Sequence, residues 1–401
     1  MTDAPRRPLR ICHLAYTFYE SDNRVMRYVK TVVERGDRVD VVTLRRPGQP
    51  RRDNQDGVRH YRIQRRTTNE RRAVTYLLKL MWFWCKAAVL LAVLQVRRRY
   101  DLVHVHNVPD FLVFAAWLPK LAGARVVLDI HDIVPEFYAG KFNGATTSRA
   151  FRFLAWLERA SCTFADHVIV SNDLWHDKLV SRSVPKDKCT TFLNYPDLSV
   201  FKPRAATEAT DTPAFLILYP GSLNHHQGVD IAVRALALVR DEMPNAELHI
   251  YGRGPALPEL KALVEELGLG ESVKFMAQVS LASMAQVMAT ASVGVVPKRS
   301  DGFGNEAFST KVLEFMASEV PVILSRTRID AHYFHDGLVN FFEPGSVAGF
   351  ANALLRTYRR RDEQRQKVRA AREFAVRYSW QVRSAEYRSL VDSLVATPRP
   401  F

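Results

Sequence analysis

Short apolar runs alternate with amphipathic stretches along most of the 401-residue chain. Residues 9–15 read as a strand, 23–35 as a helix closed by Gly36, and 38–44 as a second strand. This opening βαβ unit predicts a right-handed parallel sheet. Strands at 100–107, 124–132 and 166–171 follow, with helical stretches at 111–121 and 151–163. Residues 202–213 mix charge, Ala, Thr and Pro without periodicity and read as a linker. The alternation then restarts, with strands at 215–219, 247–251, 273–276, 292–297 and 320–324 and helices between them. A last helical pattern carries Trp380, Tyr387, Leu390, Val391 and Leu394. The expectation is an α/β protein with two Rossmann-like parallel-sheet domains, 1–201 and 214–375, facing across a cleft. The C-terminal helix, 376–401, is expected to pack back towards the first domain.

Composition changes this picture little; charge changes it more. A chain 47% hydrophobic and 25% charged is ordinary for a two-domain globular protein. Cys12, Cys85, Cys162 and Cys189 form no CxxC pair and read as idle thiols of a reducing compartment. Residues 1–10 are polar and basic, unlike a signal peptide, so a cytoplasmic location is expected. The net charge is +15, and residues 1–110 hold 23 Lys/Arg against 11 Asp/Glu, a surplus of 12. Such one-sidedness suits nucleic acid, anionic lipid or an acidic substrate. The most apolar segment, 73–96, contains Trp82, Phe83 and Trp84 but is interrupted by Lys79 and Lys86. No uncharged run in it reaches the ~18 residues of a spanning helix. It reads either as a sheet-covering helix or as an interfacial helix on an anionic membrane surface, peripheral to the inner face of the plasma membrane. No nucleic-acid-binding motif accompanies the charge, and nucleic acid is not expected as a partner.

Candidate chemistry concentrates at 302–317, a glycine-bearing loop running into an amphipathic helix between two strands. Strand, loop and helix in that order bring helix N-terminal amides to an anionic ligand at the carboxyl edge of a parallel sheet. Ser309 and Thr310 stand where a helix cap is expected, and Lys311 places a cation in the first turn. A cation there opposes the helix dipole, which points to a bound phosphate. The turn at 16–22 has no glycine, so a dinucleotide cofactor is not expected. His104 and His106 share one face of a strand, as zinc ligands can. No third ligand stands at a suggestive spacing, so no metal is expected.

Gly221-Ser-Leu-Asn-His-His-Gln-Gly228, Gly252-Arg-Gly-Pro255 and the pair Glu306 and Glu314 around Phe308-Ser309 resemble three donor-site motifs of glycosyltransferase family 4. Asp22, Arg24 and Val25, then 101–106, then 128–136 continue the resemblance in the usual order through the N-terminal half. Family members are retaining enzymes with the GT-B fold. The resemblance implies a nucleotide-diphosphate sugar as substrate, held by the second domain, and a glycan or lipid-linked acceptor held mainly by the first. No cofactor is implied. It places Glu314 on the ribose hydroxyls, to which an ionised carboxylate is an acceptor-only partner, and Glu306 and His131 near the donor sugar. Gly221, Ser222, Asn224, Gln227, Arg253, Ser309, Thr310 and Lys311 fall on the donor side; Asp22, Arg24, Asp132 and Glu136 fall on the acceptor side.

Two departures qualify the match. Many members carry Arg and Lys where this chain has Ser222 and Gln227, cations that grip the donor diphosphate. Lys311, Arg253, Lys298 and Arg299 are the replacements in reach, Lys311 the best placed. The glycine pair usual in the first loop is also absent, with Glu20-Ser-Asp-Asn-Arg24 in its place. The expected activity is sugar transfer in cell-surface polysaccharide or glycolipid synthesis. The alternatives are a non-catalytic GT-B scaffold of a polysaccharide-assembly complex, a basic nucleic-acid-binding protein and a sugar-nucleotide epimerase.

Overall fold

The computed structural model describes residues 7–66, 73–141, 148–204 and 214–397; most of the expected linker, 205–213, lies outside the described residues. The chain divides into two compact units, one of residues 1–194 and 384–401, the other of residues 195–383.

The first unit is built on an eight-stranded sheet. Its strands are β1 (Arg10–Ala15), β2 (Arg38–Arg45), β3 (Arg52–Gln55), β4 (Val58–Arg65), β5 (Leu102–His106), β6 (Arg125–Ile130), β7 (His167–Val170) and β8 (Cys189–Thr191). The order is β3-β4-β2-β1-β5-β6-β7-β8, and every pairing is parallel except β3 with β4. The β3–β4 hairpin is not anticipated from the sequence. Its edge strand is polar, and β4 buries His60, Arg62 and Gln64 where an apolar alternation would announce a strand. The segment expected as a helix over 111–121 is a 3-10 turn, Asp110–Ala116, leading into the short helix Trp117–Leu121.

The second unit carries a six-stranded parallel sheet: β9 (Phe215–Pro220), β10 (Ala246–Tyr251), β11 (Val273–Met276), β12 (Val293–Val296), β13 (Val322–Ser325) and β14 (Asn340–Phe342), in the order β11-β10-β9-β12-β13-β14. In each sheet the winding reverses beside the first strand, between β1 and β5 and between β9 and β12. Such switch points open a crevice at the carboxyl ends of the strands, where ligands of α/β sheets bind.

Two boundaries move relative to expectation. Residues 195–201 belong to the second unit, where Phe201 is buried in its core with Leu198 and Val200 packed against it. The closing helix, Trp380–Ala396, changes unit at Ser384. Its Tyr387 and Val391 are fully buried, and the Tyr387 ring lies 4.5 Å from that of Tyr28 on the helix Asn23–Glu34.

Candidate active site

The second-unit residues expected on the donor side lie around its switch point. The loop after β9 and the loop after β10 run together: Gly221 N–H donates to the Tyr251 carbonyl (2.8 Å) and Leu223 N–H to that of Arg253 (2.9 Å). A Cβ on Gly252 would lie 1.8 Å from the Gly221 carbonyl oxygen, so only glycine permits this approach. Gly228, left-handed at φ +65, leads into the helix Val229–Val239; a Cβ there would stand 2.0 Å from the Pro297 carbonyl oxygen. Both glycines press backbone against backbone.

The helix expected after the 302–309 loop is Thr310–Ala317, seated so close on β12 that a Cβ on Gly294 would meet the Phe315 ring at 2.4 Å. Ser309 occupies the N-cap position but makes no side-chain capping bond. The capping role expected of it is therefore corrected, and its hydroxyl stays available beside the first-turn amides. Because the helix begins at Thr310, Glu306 lies in the preceding turn and does not share a helix with Glu314. Glu306 is paired with Arg328 (3.3 Å).

Lys311 crosses back to the β9 loop. Its Nζ donates to Gln227 Oε1 (3.1 Å) and to the Tyr219 hydroxyl (3.4 Å), lies 4.6 Å from the centre of the Tyr219 ring, and sits against Gly221. A lysine from the helix thus reaches the position whose own residue, Gln227, lacks a cation. Burial pushes its amine down to about 8, and Lys298 adds to the effect against the pull of Glu314 and Asp330. The other candidate cations are differently engaged. Lys298 is 2% exposed and spends its charge on buried Asp330 (2.7 Å) and the Ala307 carbonyl (2.8 Å). Arg299 pairs with Asp230 (2.5 Å). Arg253 is exposed on the β10 loop. Ser222 is exposed too, its hydroxyl accepting from the Asn224 amide (3.3 Å).

In the first unit, the carboxyl ends of β5 and β6 hold a polar cluster. The His131 Nε2 lies 3.0 Å from Asp129 Oδ2, and its backbone is fixed by Asn107 Oδ1 (2.8 Å) and the Ser171 hydroxyl (2.8 Å). Buried Asp129 is forked by Arg24, Nε to Oδ2 at 2.8 Å and Nη2 to Oδ1 at 2.7 Å. Burial alone would raise this carboxyl, but the Arg24 charge, the neighbouring His131 and the hydrogen bonds from Arg24 and His106 together outweigh it and hold the group well below the usual carboxylate range. Arg24 also donates to the Phe192 carbonyl and to Asn194 and is 5% exposed. Its expected acceptor-side contact is corrected: the guanidinium is consumed inside the unit. Glu136 is corrected likewise, being clamped by both Nη atoms of Arg182 (2.5 and 2.9 Å), which also holds Glu158. Asp22 caps the helix Asn23–Glu34 through the Val25 amide (3.1 Å). Asp132 remains half-buried beside His131, and desolvation raises its pKa.

A third histidine, which spacing along one strand does not reveal, joins His104 and His106. The β1–β5 register sets His13 opposite His104, and His13 Nδ1 lies 3.1 Å from His106 Nε2. Among the described residues two sets have ligand atoms within 4.8 Å of one another, His13 with His104 and His106, and His106 with Asp129 and His131. The first set fits a metal poorly, since the His104 and His106 rings stack at 4.2 Å and 23° while ligand rings radiate from an ion. In the second set Asp129 already receives Arg24 on both oxygens. Burial pushes the pKa of His13, His104 and His106 down, so all three are neutral near pH 7.

Two Rossmann-like parallel-sheet units are the architecture of the GT-B class of glycosyltransferase folds. The model of the Glycosyl transferase 4-like domain matches residues 21–194, and that of Glycosyl transferases group 1 matches residues 203–374. The chain belongs to glycosyltransferase family 4 and is a glycosyltransferase. It is 27% identical over 322 residues to a D-inositol 3-phosphate glycosyltransferase of Thermomonospora curvata, covering 74% of this chain and 70% of that one. The solved structure of sucrose-phosphate synthase from Thermosynechococcus elongatus superposes with a TM-score of 0.78 at 19% identity, over 97% of this chain and 99% of that one. HepE of Anabaena, solved in complex with UDP-glucose, gives 0.74 at 16% identity, over 96% of this chain and 100% of that one.

Proposed function

We propose that the protein is a retaining, metal-independent glycosyltransferase that takes a sugar from a nucleoside-diphosphate sugar held by the second unit. The observation that carries this reading is Lys311, delivered by the helix Thr310–Ala317 into the glycine-built crevice at Gln227 and Gly221. There its charge and the helix N-terminal amides suit a diphosphate. The diphosphate is the leaving group, and holding its developing charge is the main catalytic work. In front-face transfer the acceptor hydroxyl bonds to the anomeric carbon on the side from which the diphosphate departs. Its proton passes to the departing phosphate oxygen, so no protein nucleophile or metal is required. Glu314 is assigned to the ribose, and Glu306 and His131 to the sugar. A thermal-shift screen of nucleoside diphosphates and their sugars tests the donor. A ligand at a hundred times its Kd adds about 2.7 kcal/mol to the folded state. No rise with any of them would overturn the reading.

For the acceptor, a lipid-linked molecule at the cytoplasmic face of a membrane fits best, in glycolipid or cell-surface polysaccharide synthesis. What supports this is the helix Ala73–Arg98, which contains no acidic residue and exposes Leu77, Leu78, Trp82, Val89, Val93 and Val96. Neighbouring helices expose Trp117, Leu121, Phe153 and Trp156, while the acids among them, Asp110 and Glu158, are buried. Apolar rings ringed by bases and devoid of exposed acids suit an anionic interface. In flotation at low salt the protein is expected to rise with anionic vesicles and to stay behind with neutral ones. Equal behaviour removes the electrostatic basis.

A further inference from the structure

The cluster around Asp129 contains more order than a hydrogen-bonded histidine requires. Three donors converge on one carboxylate oxygen: Arg24 Nε at 2.8 Å, His131 Nε2 at 3.0 Å and His106 Nδ1 at 3.1 Å. An ionised carboxylate only accepts, so each of these nitrogens must carry its proton. The 3.4 Å approach of His131 Nε2 to His106 Nδ1 is then two N–H groups aimed at a shared oxygen, not a bond between rings. The assignment propagates inward. His106, protonated on Nδ1 and neutral, accepts at Nε2 from the Nδ1–H of His13, and His13 Nε2 is left as a buried atom without a partner. Such an unsatisfied atom carries a cost, and the row persists because the stacked rings, 15° apart for His13 and His106, are locked by the β1–β5 register.

We propose that Asp129 is a positioning residue that fixes His131 as the Nε2–H tautomer, so that its Nδ1 stands as a hydrogen-bond acceptor for a hydroxyl of the substrate. The proposal rests on the transferase reading for its substrate, but the tautomer itself is a property of the first unit alone. Arg24 serves as the anchor: both carboxylate oxygens are taken by its fork, so Asp129 cannot rotate away from His131. His131 is also held at its backbone N–H and C=O, and its side chain keeps 20% exposure. Ring, backbone and carboxylate are therefore all fixed before any ligand arrives. Replacing an orienting aspartate by asparagine is known to leave geometry intact yet reverse the imidazole tautomer, with losses of about 10⁴ in kcat in the serine-protease case.

The test is long-range ¹H–¹⁵N correlation on the full chain labelled at histidine, with the His131 signals assigned by their disappearance in His131→Gln. Wild-type His131 is expected to show the Nε2–H pattern, and Asp129→Asn to shift it towards Nδ1–H. Where donor and acceptor are in hand, that variant is also expected to lose kcat by a hundredfold or more with the KM for the donor little changed. A wild-type Nδ1–H pattern, or a pattern unaltered in a folded Asp129→Asn, overturns the proposal. If Asp129→Asn does not fold, the wild-type spectrum decides alone. Absence of any transferase activity would instead sink the functional reading and leave the tautomer result standing.

Discussion

Lys311→Ala is expected to cut transfer by at least two orders of magnitude and to weaken nucleoside-diphosphate binding in parallel. The crevice holds Lys311 as its inward-reaching cation, since Lys298 is neutralised by Asp330 and Arg299 by Asp230. Charge-assisted contacts to a desolvated diphosphate are worth roughly 1.5–3 kcal/mol in binding, and more on the departing group, where charge builds up. Lys311→Arg is not expected to rescue, because the amine is packed against Gly221 and a planar fork does not fit that contact. The same lysine sets a pH dependence. Its folded pKa of about 8 lies below its ordinary value of 10.5. The unfolded chain therefore binds the proton more readily between about 8 and 10.5, and stability attributable to this group rises with pH across that window. Donor affinity runs the other way: the diphosphate selects the protonated amine, so affinity should fall as pH rises through about 8. Calorimetric titrations at pH 7 and 9 measure this, and equal affinities at the two would contradict the role given to Lys311.

Arg24→Leu is expected to destabilise the protein by about 3–5 kcal/mol, because it leaves Asp129 as an uncompensated buried charge. A direct acceptor contact would have predicted the opposite profile, with full stability and weakened acceptor binding. Urea unfolding of the first unit separates the two. Arg24→Leu combined with Asp129→Leu should recover part of the loss, since removing both charges abolishes the unpaired one.

How much of this was legible in the residues depends on how local each feature is. Most of the parallel strands were readable because they are short apolar runs bounded by turns, and β12, loop and helix at 293–317 could be placed by pattern alone; β4, β8 and β14, polar or only three residues long, were not. Lys311 was readable for a related reason: a cation at a helix start runs against the dipole and asks for an explanation. The β3–β4 hairpin was not readable, because His60, Arg62 and Gln64 are buried polar groups whose partners lie elsewhere in the chain. Nor was the work of Arg24, whose carboxylate is 105 residues away, or of His13, which meets His106 only through the pairing of strands separated by β2, β3 and β4. Glu136 misled because a carboxylate in a familiar stretch looks free until its arginine, 46 residues on, is seen to hold it. Local pattern revealed backbone elements and local misfits; side-chain partnerships over long separations required the fold.

The first unit is not continuous in sequence. Its core takes Tyr387 and Val391 from the last helix, and Tyr387 hydroxyl meets His104 Nδ1 at 2.9 Å. During synthesis, then, residues 1–194 wait for residues 384–396. The amino-terminal sheet can assemble as it emerges, but the Tyr28–His104 side of its core stays open until all of the intervening unit, residues 195–383, has been translated. Completion of the first unit is thereby coupled to synthesis through the whole second unit, and a chain cut short at residue 383 would lack the Tyr387 ring and hydroxyl that meet His104.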